Sequence, residues 1–389
     1  MKKIAIVAGQ LVVGGVERAL ISFLQEIDYS KYEVTLWLQN SKEGALLSMI
    51  DPRVRIREIE KPIPKQVLIS QIKHFQILQV IKAIANRILA RIFCKNLIKN
   101  LRYSTKCLPL CSKERYDCLI VYQGLARDQI ATALYRFCAQ KRICWIHGKN
   151  TFHESTKRYI QKEYKRFDKI VYVSEATKEN FLRDFPAVAE KSSVIYNLID
   201  DRAIVEQSEL ETKESLNGSA IATVGRLSPE KGQQMIPKAA RILLDQGYEI
   251  YWYLVGDGSL RAEVEQEIEK YGVQDHVILL GTKMNPYPYI KNCDIYVQPS
   301  FTEGWGLTVQ EARILEKPIV VTPIPVMEEQ IRNGENGLIV EAMTPEAIAD
   351  GVRQLLDHPA LIEKFTKALK NETFDNSAEL QKLYDLIES

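Results

Sequence analysis

The 389-residue sequence lacks a long hydrophobic run, because no stretch of about eighteen residues is apolar and free of charge. We therefore expect no transmembrane helix. The apolar part of the opening MKKIAIVAG is too short for the hydrophobic region of a signal peptide, and it predicts a buried first strand instead. With 46% hydrophobic residues, the chain is long enough to form two hydrophobic cores.

The seven cysteines include no C-x-x-C pair. An odd number of cysteines without paired spacing argues against a disulfide framework and favours a reducing cytoplasm. Cys107 and Cys111 are spaced like two metal ligands, but no nearby residue completes a ligand set. We therefore predict a cytoplasmic protein without disulfides and without a metal site.

Acidic residues are absent between Glu60 and Glu114, where eleven lysines and arginines occur. Residues 1–199 carry a net charge of +16 and the remainder −14, although the whole chain carries only +2. Within the acid-free stretch, four basic residues recur every four positions beside an isoleucine-rich stripe of helical spacing: Arg87, Arg91, Lys95 and Lys99. Segment 61–113 therefore predicts one or two basic amphipathic helices.

Two interpretations of these helices remain open. The basic face binds an anionic membrane surface through residues 65–106, or the apolar stripe packs on the N-terminal core and the charges are solvated. Nucleic acid is disfavoured, because few aromatic residues interleave with the basic ones: Phe75, Phe93 and Tyr103. We expect a membrane-surface partner and no nucleic acid.

Apolar runs alternate with helical patterns in both halves of the chain, which predicts parallel sheets with crossover helices. The predicted strands of the first half are KIAIVAG, EVTLWL, CLIVYQG, RICWIHG, KIVYVS and SVIYNLI. After a polar stretch at 200–218 the pattern restarts with AIATVGRLS, EIYWYLVGDG, HVILLG, DIYVQPS, PIVVTP and GLIV. The fold class is therefore α/β, with doubly wound domains at 1–199 and 200–389.

Two glycine-containing loops follow predicted strands, where ligands collect in doubly wound sheets. Gly14 and Gly15 open a helix, and residues without side chains let backbone N–H groups approach a phosphate. Arg226 and Lys231 flank a Ser-Pro turn and can converge on one anion. The sequence lacks G-x-G-x-x-G at the first loop and G-x-x-x-x-G-K-[ST] throughout, which argues against dinucleotide and P-loop proteins.

The stretch FTEGWGLTVQE, residues 301–311, holds two glutamates eight positions apart. On one helix these carboxylates would lie about 80° and two turns apart, which suits no shared chemistry. We therefore predict that Glu303 lies in a loop and that Glu311 lies on a helix over 307–315. The pair then straddles a helix N-terminus, which favours a diphosphate there and hydroxyl groups at the carboxylates.

The motifs GRLSPEKG, LVGDG and EGWGLTVQE resemble those of the retaining nucleotide-sugar glycosyltransferases of family 4. The resemblance extends to the Gly-Gly loop, WIHG, VYVSEATKENF and VIYNLID, and it covers most of the chain apart from about 61–113. It implies the GT-B fold, with two Rossmann-like domains that face each other across a cleft. The N-terminal domain would bind the acceptor, the C-terminal domain the nucleotide-sugar, and the last helix would pack back on the N-terminal domain.

The resemblance also implies two sets of site residues. The catalytic set is His147, Glu303, Arg226 and Lys231. The donor-binding set is Gly14, Gly15, Gly304, Trp305, Gly306, Leu307, Thr308, Glu311 and Met284. In this assignment Glu303 binds the donor sugar, Glu311 binds the ribose, and the loop 281–289 meets the nucleobase.

The resemblance implies metal-independent transfer of a sugar, with retention, from a UDP-sugar to a lipid-linked glycan in the synthesis of bacterial cell-surface polysaccharide. No cofactor is expected, and the enzyme would work at the inner face of the cell membrane. A sugar-nucleotide epimerase or hydrolase of the same fold would share the phosphate site. A non-catalytic sugar-nucleotide-binding protein would tolerate the loss of Glu303, Arg226 or Lys231, yet all three are present.

Overall fold

The computed structural model describes residues 1–40, 44–59, 110–149, 152–212, 214 and 216–389. The basic amphipathic helices predicted within 65–106 lie outside these residues. The described chain forms two compact units, residues 1–198 with 377–389, and residues 199–376. The expected domains of 1–199 and 200–389 differ from these units at one residue of the linker and at the last helix.

The first unit is built on a parallel sheet with the strand order β3-β2-β1-β4-β5-β6-β7. Its strands are β1 Lys2–Ala8, β2 Tyr32–Leu38, β3 Arg55–Glu58, β4 Arg115–Val121, β5 Cys138–Ile146, β6 Lys169–Tyr172 and β7 Ser192–Val194. Its described helices are Gly15–Glu26, Arg127–Arg136, Glu154–Tyr164, Glu175–Asp184 and Ser377–Glu388, with 3₁₀ turns at Leu47–Met49 and Pro186–Lys191.

Hydrophobic strands form the centre of this sheet because helices cover both faces. Ile4, Val7 and Leu119 are fully buried. The six strands predicted for this half are all present, whereas β3 was not predicted. Its sequence RIRE is mostly exposed, as charged residues often are on an edge strand.

The last helix, Ser377–Glu388, packs on the first unit. The Tyr384 hydroxyl accepts a hydrogen bond of 3.0 Å from the Asp28 backbone N–H. The rings of Tyr384 and Tyr32 stack with centroids 5.3 Å apart, and the Tyr32 hydroxyl donates to Glu388 at 2.9 Å. Side chains in the second half of the helix therefore attach it to β2 and to the segment that precedes β2.

The second unit is built on a second parallel sheet with the order β10-β9-β8-β11-β12-β13. Its strands are β8 Ser219–Val224, β9 Ile250–Val255, β10 Val277–Gly281, β11 Ile295–Gln298, β12 Ile319–Val321 and β13 Leu338–Ile339. Its described helices are Asp201–Ser208, Ile236–Asp245, Arg261–Tyr271, Tyr287–Lys291, Leu307–Ile314, Pro325–Glu328, Pro345–Asp357 and Pro359–Lys370, with 3₁₀ turns at Pro229–Lys231 and Gln233–Met235.

The strand order of this sheet reverses between β8 and β11. These strands are direct neighbours although their first residues, Ser219 and Ile295, are 76 positions apart. The loops that leave these two strands therefore meet at one sheet edge. All six strands predicted for this half are present. Within the described residues, no helix is both long and apolar enough to cross a membrane.

Candidate functional site

The loop after β8 is fastened to the loop after β11 at Gly232. Gly232 has φ +70°, and a Cβ at this position would lie 2.0 Å from the Pro299 carbonyl oxygen. Only glycine fits so close to a neighbouring backbone in this left-handed conformation. A backbone hydrogen bond of 2.9 Å from Phe301 to the Glu230 carbonyl adds a second attachment. The position of Lys231 is thereby fixed relative to the second loop.

Lys231 and Glu303 form an ion pair across these two loops. The Lys231 ammonium donates to both carboxylate oxygens of Glu303, at 2.7 and 2.8 Å. The Ser300 hydroxyl donates to Glu303 Oε1 at 2.7 Å. Only 7% of the Glu303 side chain and 22% of the Lys231 side chain are exposed. Cation and carboxylate are therefore held together at the edge where the two strands end.

A buried polar network beneath this pair was not anticipated from the sequence. Gln298 Nε2 donates to the Ser300 hydroxyl at 2.9 Å, and its Oε1 accepts from Tyr296 at 2.8 Å and Thr308 at 3.0 Å. Gln298 and Ser300 are fully buried. The sequence does contain a signal for this network, because polar residues end the apolar strand DIYVQPS. Polar groups that are buried need hydrogen-bond partners. The network therefore fixes Ser300, whose hydroxyl donates to Glu303.

The helix Leu307–Ile314 begins beside this network, as predicted. Gly306 precedes it with φ +86°, and the Gln330 side-chain amide donates to the carbonyl oxygens of Trp305 and Gly306. The Leu307 and Thr308 amides belong to the first turn, whose N–H groups have no acceptor within the helix. The helix dipole adds positive potential there, so the terminus suits an anion.

Glu311 lies on the same helix and is 4% exposed. The Tyr287 hydroxyl is 3.5 Å from its Oε1. The structure therefore places Glu303 and Glu311 on opposite sides of the helix start, one in the loop and one within the helix. Gly304 and Trp305 lie between them, and the Trp305 indole donates to Gln310 at 2.7 Å.

Arg226 and Met284 lie at the solvent-facing part of this region. Arg226 follows β8, and its side chain is exposed. Met284 follows β10 and is 49% exposed. The structure thus brings Lys231, Glu303 and the helix terminus into one cluster, and Arg226 is an exposed residue in the loop that carries Lys231.

The remaining predicted residues lie at the carboxyl edge of the first unit's sheet. Gly14 is the N-cap of the helix Gly15–Glu26, in an extended conformation. His147 follows β5, and its ring lies 4.5 Å from the Tyr122 ring. Phe23, from the helix that Gly15 begins, packs on Tyr122 at 6.1 Å. The glycine loop and the histidine are therefore joined through one aromatic cluster.

His147 presents a buried nitrogen. Its Nε2 atom has no hydrogen-bond partner among the described residues. Burial lowers the pKa of His147 to about 3, although a backbone hydrogen bond with Tyr122 acts in the opposite direction. The imidazole is therefore neutral near pH 7, and it can exchange a hydrogen bond with a ligand hydroxyl without carrying charge.

This histidine makes stability depend on pH. The unfolded chain binds a proton at His147 below its ordinary pKa of about 6.5, whereas the folded protein does not until about 3. Stability is therefore lost as pH falls from 6.5 towards 3. We expect His147→Gln to reduce the loss of unfolding free energy between pH 7.5 and 5 by about 1–2 kcal/mol. Urea denaturation at both pH values measures the unfolding free energy. An identical decrease in wild type and variant between the two pH values would contradict a buried, neutral histidine.

A second polar network lies beside the glycine loop and was also missed from the sequence. Gln123 Nε2 donates to Glu17 at 2.8 Å, and Gln123 Oε1 accepts from Gln129 at 2.6 Å and from the Gly9 backbone at 3.2 Å. Gln123 follows β4, next to β1 in the sheet. This network connects the ends of two neighbouring strands to the first turn of the helix Gly15–Glu26.

Sequence comparisons match both units to glycosyltransferase families. Residues 13–203 match Glycosyltransferase Family 4, and residues 206–372 match Glycosyl transferases group 1. The chain is 26% identical over 375 residues, or 96% of this chain and 94% of that protein, to the N-acetylgalactosamine-N,N'-diacetylbacillosaminyl-diphospho-undecaprenol 4-alpha-N-acetylgalactosaminyltransferase of Campylobacter jejuni. It is 25% identical over 203 residues to the capsular polysaccharide biosynthesis glycosyltransferase CapM of Staphylococcus aureus, covering 50% of this chain and 53% of CapM.

Structure comparison gives the same fold class. Anabaena HepE, solved in complex with UDP and glucose, superposes with a TM-score of 0.72 at 18% identity, and the match covers 100% of both chains. The predicted α/β fold of the GT-B type, with two Rossmann-like units, is therefore confirmed.

Proposed function

This chain belongs to the family 4 type of glycosyltransferases, and from that premise we propose that it transfers a sugar from a UDP-sugar to a glycan hydroxyl with retention. One observation carries the proposal. The Lys231–Glu303 ion pair lies beside the N-terminus of the helix Leu307–Ile314, and Glu311 lies within that helix. A single nucleotide-sugar spans such a row of groups.

Each part of the donor has a matching group. Glu303 accepts hydrogen bonds from hydroxyls of the donor sugar, and Glu311 accepts them from the ribose. The diphosphate lies between them, against Lys231, Arg226 and the amides of Leu307 and Thr308. Gly304, Trp305 and Gly306 shape the backbone around it. Hydrogen bonds between charged partners are about twice as strong as neutral ones, so this pattern selects an anionic, hydroxyl-rich ligand.

The reaction breaks the bond between the sugar's anomeric carbon and a β-phosphate oxygen, and the electron pair stays on the phosphate. The same carbon forms a bond to the acceptor hydroxyl oxygen, and the hydroxyl proton passes to the departing diphosphate. Negative charge therefore grows on the diphosphate in the transition state. Fixed cations and N–H groups aimed at that charge lower the barrier by electrostatic stabilisation. Because Lys231 and Arg226 supply positive charge, we propose that the reaction needs neither a metal ion nor another cofactor.

The contacts of Glu303 favour substrate binding over nucleophilic attack. Both of its oxygens accept from Lys231, and one also accepts from Ser300. Each of these hydrogen bonds occupies a lone pair of the carboxylate, so fewer lone pairs are free to attack a sugar carbon. We assign Glu303 to holding the donor sugar, and the neutral His147 to a hydroxyl of the donor or the acceptor.

The comparisons support the substrate classes. UDP is the nucleotide in the HepE complex. The name of the Campylobacter relative describes an acceptor on diphospho-undecaprenol, and the name of CapM describes capsular polysaccharide. We therefore propose a lipid-linked acceptor in cell-surface polysaccharide synthesis.

Transfer with and without acceptor tests the proposed activity. Purified protein is incubated with radiolabelled UDP-sugars and lipid-linked glycans in excess chelator. We expect labelled glycolipid with the anomeric configuration of the donor. Release of free sugar at the same rate without acceptor would indicate a hydrolase, and an altered sugar on intact UDP would indicate an epimerase.

Substitution of Glu311 tests the ribose contact. Glu311→Gln keeps the size of the side chain and removes its charge, so UDP should bind roughly ten- to a hundredfold more weakly. Calorimetric titration measures the affinity, with Glu316→Gln, a change at a half-buried loop position after the same helix, as the control. Equal affinity of wild type and Glu311→Gln would place the ribose elsewhere.

The basic segment 65–106 provides a membrane test that rests on the sequence alone. We propose that it attaches the enzyme to the inner face of the cell membrane, because each basic residue near an anionic bilayer contributes about 1 kcal/mol. Wild type should co-sediment with anionic but not neutral liposomes, and less at high salt. Replacing four basic residues together by glutamine should abolish the co-sedimentation with anionic liposomes: Arg87, Arg91, Lys95 and Lys99.

The control replaces four exposed lysines of the second unit by glutamine: Lys270, Lys364, Lys367 and Lys370. This variant loses the same charge, so its sedimentation should match wild type if the basic segment is the anchor. Equal loss in both variants would indicate a general charge effect and remove the membrane proposal.

A further inference from the structure

The loop after β10 is held by a chain segment distant in sequence. This loop, residues 282–286, connects β10 to the helix Tyr287–Lys291. Gln207, near the end of the first helix of the second unit, and Glu214, beyond that helix, contact this loop and the helix after it. The contacts between the two segments are made by side chains rather than by strand pairing, so single substitutions can remove them.

Glu214 makes the principal contacts between these segments. Its carboxylate accepts from the Lys283 ammonium at 2.5 Å and from the Tyr289 hydroxyl. Tyr289 is 3% exposed, and the Lys283 ammonium lies 5.5 Å from its ring centroid. Hydrogen bonds from Lys283 and Tyr289 hold the pKa of Glu214 below its usual value, so the carboxylate remains charged near neutral pH. One carboxylate therefore contacts both the loop, at Lys283, and the helix that follows it, at Tyr289.

Asn285 provides a further attachment in the middle of the loop. Its Nδ2 donates to the Gln207 carbonyl oxygen at 2.7 Å, and its Oδ1 accepts from the Tyr287 backbone at 3.2 Å. The loop is therefore tied at Lys283 and at Asn285, and the helix that follows it is tied at Tyr289. Met284 lies between the first two ties, and it is 49% exposed despite being apolar.

The segment that carries Glu214 is itself fixed. The Thr212 hydroxyl donates to the Glu214 carbonyl oxygen at 2.7 Å. The Asn217 backbone N–H donates to the Tyr253 hydroxyl at 2.8 Å, and Tyr253 belongs to β9, the neighbour of β10. A hydrogen bond three residues beyond Glu214 therefore attaches this part of the chain to the sheet.

The loop also adjoins the residue assigned to the ribose. The Tyr287 hydroxyl, one residue beyond the loop, is 3.5 Å from Glu311 Oε1. A base attached to a ribose at Glu311 extends away from the diphosphate at Lys231. The tied loop with its exposed methionine lies beside Glu311 and offers an apolar contact and backbone groups to a planar base.

We propose that Glu214 is a positioning residue for nucleobase recognition, which it secures by tying Lys283 and Tyr289 so that Met284 and the loop backbone are presented in one conformation. The inference rests on the proposed function, because it takes a nucleoside diphosphate as the ligand. Fixing a loop in its binding conformation increases affinity by lowering the ordering cost of association. The consequence is confined to ligands that carry a base.

Three variants test this role. Glu214→Gln removes the charge, Tyr289→Phe removes one hydroxyl from a buried ring, and the double variant combines them. Each single variant should weaken UDP roughly three- to tenfold and leave inhibition by inorganic pyrophosphate unchanged. KM for the UDP-sugar should rise with kcat unchanged. The double variant should be little weaker than Glu214→Gln, because both remove the same contact.

Glu209→Gln is the matched control. Glu209 belongs to the same segment and pairs with Lys291, at the far end of the helix Tyr287–Lys291 and outside the loop. Its UDP affinity should equal that of wild type. Unchanged UDP affinity in Glu214→Gln and Tyr289→Phe, or equal weakening of UDP and pyrophosphate, overturns the inference while the proposed function stands. Failure of wild type to bind UDP overturns both.

Discussion

Replacing Lys231 with methionine should lower kcat by about a hundred- to a thousandfold, the typical cost of removing one group that stabilises transition-state charge. The substitution leaves the side chain's length and apolar stem but removes the ammonium that contacts both oxygens of Glu303. Two effects then combine. The departing diphosphate loses a cation, and the carboxylate that holds the donor sugar loses the partner that orients it.

Steady-state kinetics with the natural donor measure this loss, and thermal unfolding in parallel reports whether the variant is folded. Lys238→Met is the control, because Lys238 forms an ion pair with Glu346 in which both side chains are more than a third exposed. Exposed pairs contribute little, so kcat of this variant should equal that of wild type. A folded Lys231→Met enzyme with more than half the normal kcat would exclude Lys231 from catalysis.

Gly232→Ala should lower the unfolding free energy of the second unit by at least about 3 kcal/mol, or roughly 6–12 °C in melting temperature. The new Cβ would lie 2.0 Å from the Pro299 carbonyl oxygen, so backbone must move. That movement separates the two loops that carry Lys231 and Glu303. Activity should therefore fall together with stability.

Gly247→Ala separates the clash from the backbone strain. Gly247 also has a positive φ, +89°, but a Cβ there meets no atom within 4 Å. Gly247→Ala should lower the free energy of unfolding by only about 1–2 kcal/mol, because alanine disfavours the left-handed conformation. Thermal and chemical unfolding of both variants give the comparison. Equal destabilisation would mean that the loop junction at Gly232 contributes no more than an ordinary turn.

The strands and the two loops of the site were predictable because they are local features of the sequence. Apolar runs in DIYVQPS and AIATVGRLS indicate strands that helices cover on both faces. Gly304 and Gly306 mark a break before the helix that carries Glu311. The start of that helix at Leu307 was predicted, and its end at Ile314 differs by one residue from the prediction.

The partners within the site were not predictable, because they depend on which strands become neighbours. Lys231 and Glu303 are 72 residues apart, and they meet only because β8 and β11 are adjacent. The sequence analysis predicted that Lys231 and Glu303 each contact a ligand. It did not predict the ion pair between them. The Gln298 network has the same origin, since its partners come from a strand end and a helix start.

The edge strand β3 was missed for a different reason. Its residues Arg55–Glu58 carry three charges in four positions, so they show no apolar run. Pairing with the buried β2 is what makes this segment a strand. Edge strands are often charged, and sequence patterns that depend on burial therefore overlook them.

Calorimetric titration of the wild-type protein with UDP, in excess chelator, tests the account's central claim most directly. The account predicts one UDP site per chain, with affinity retained in chelator and reduced at least tenfold in Lys231→Met. Absence of binding to UDP, GDP and ADP alike, or binding that returns only when Mg²⁺ or Mn²⁺ is added, would contradict it.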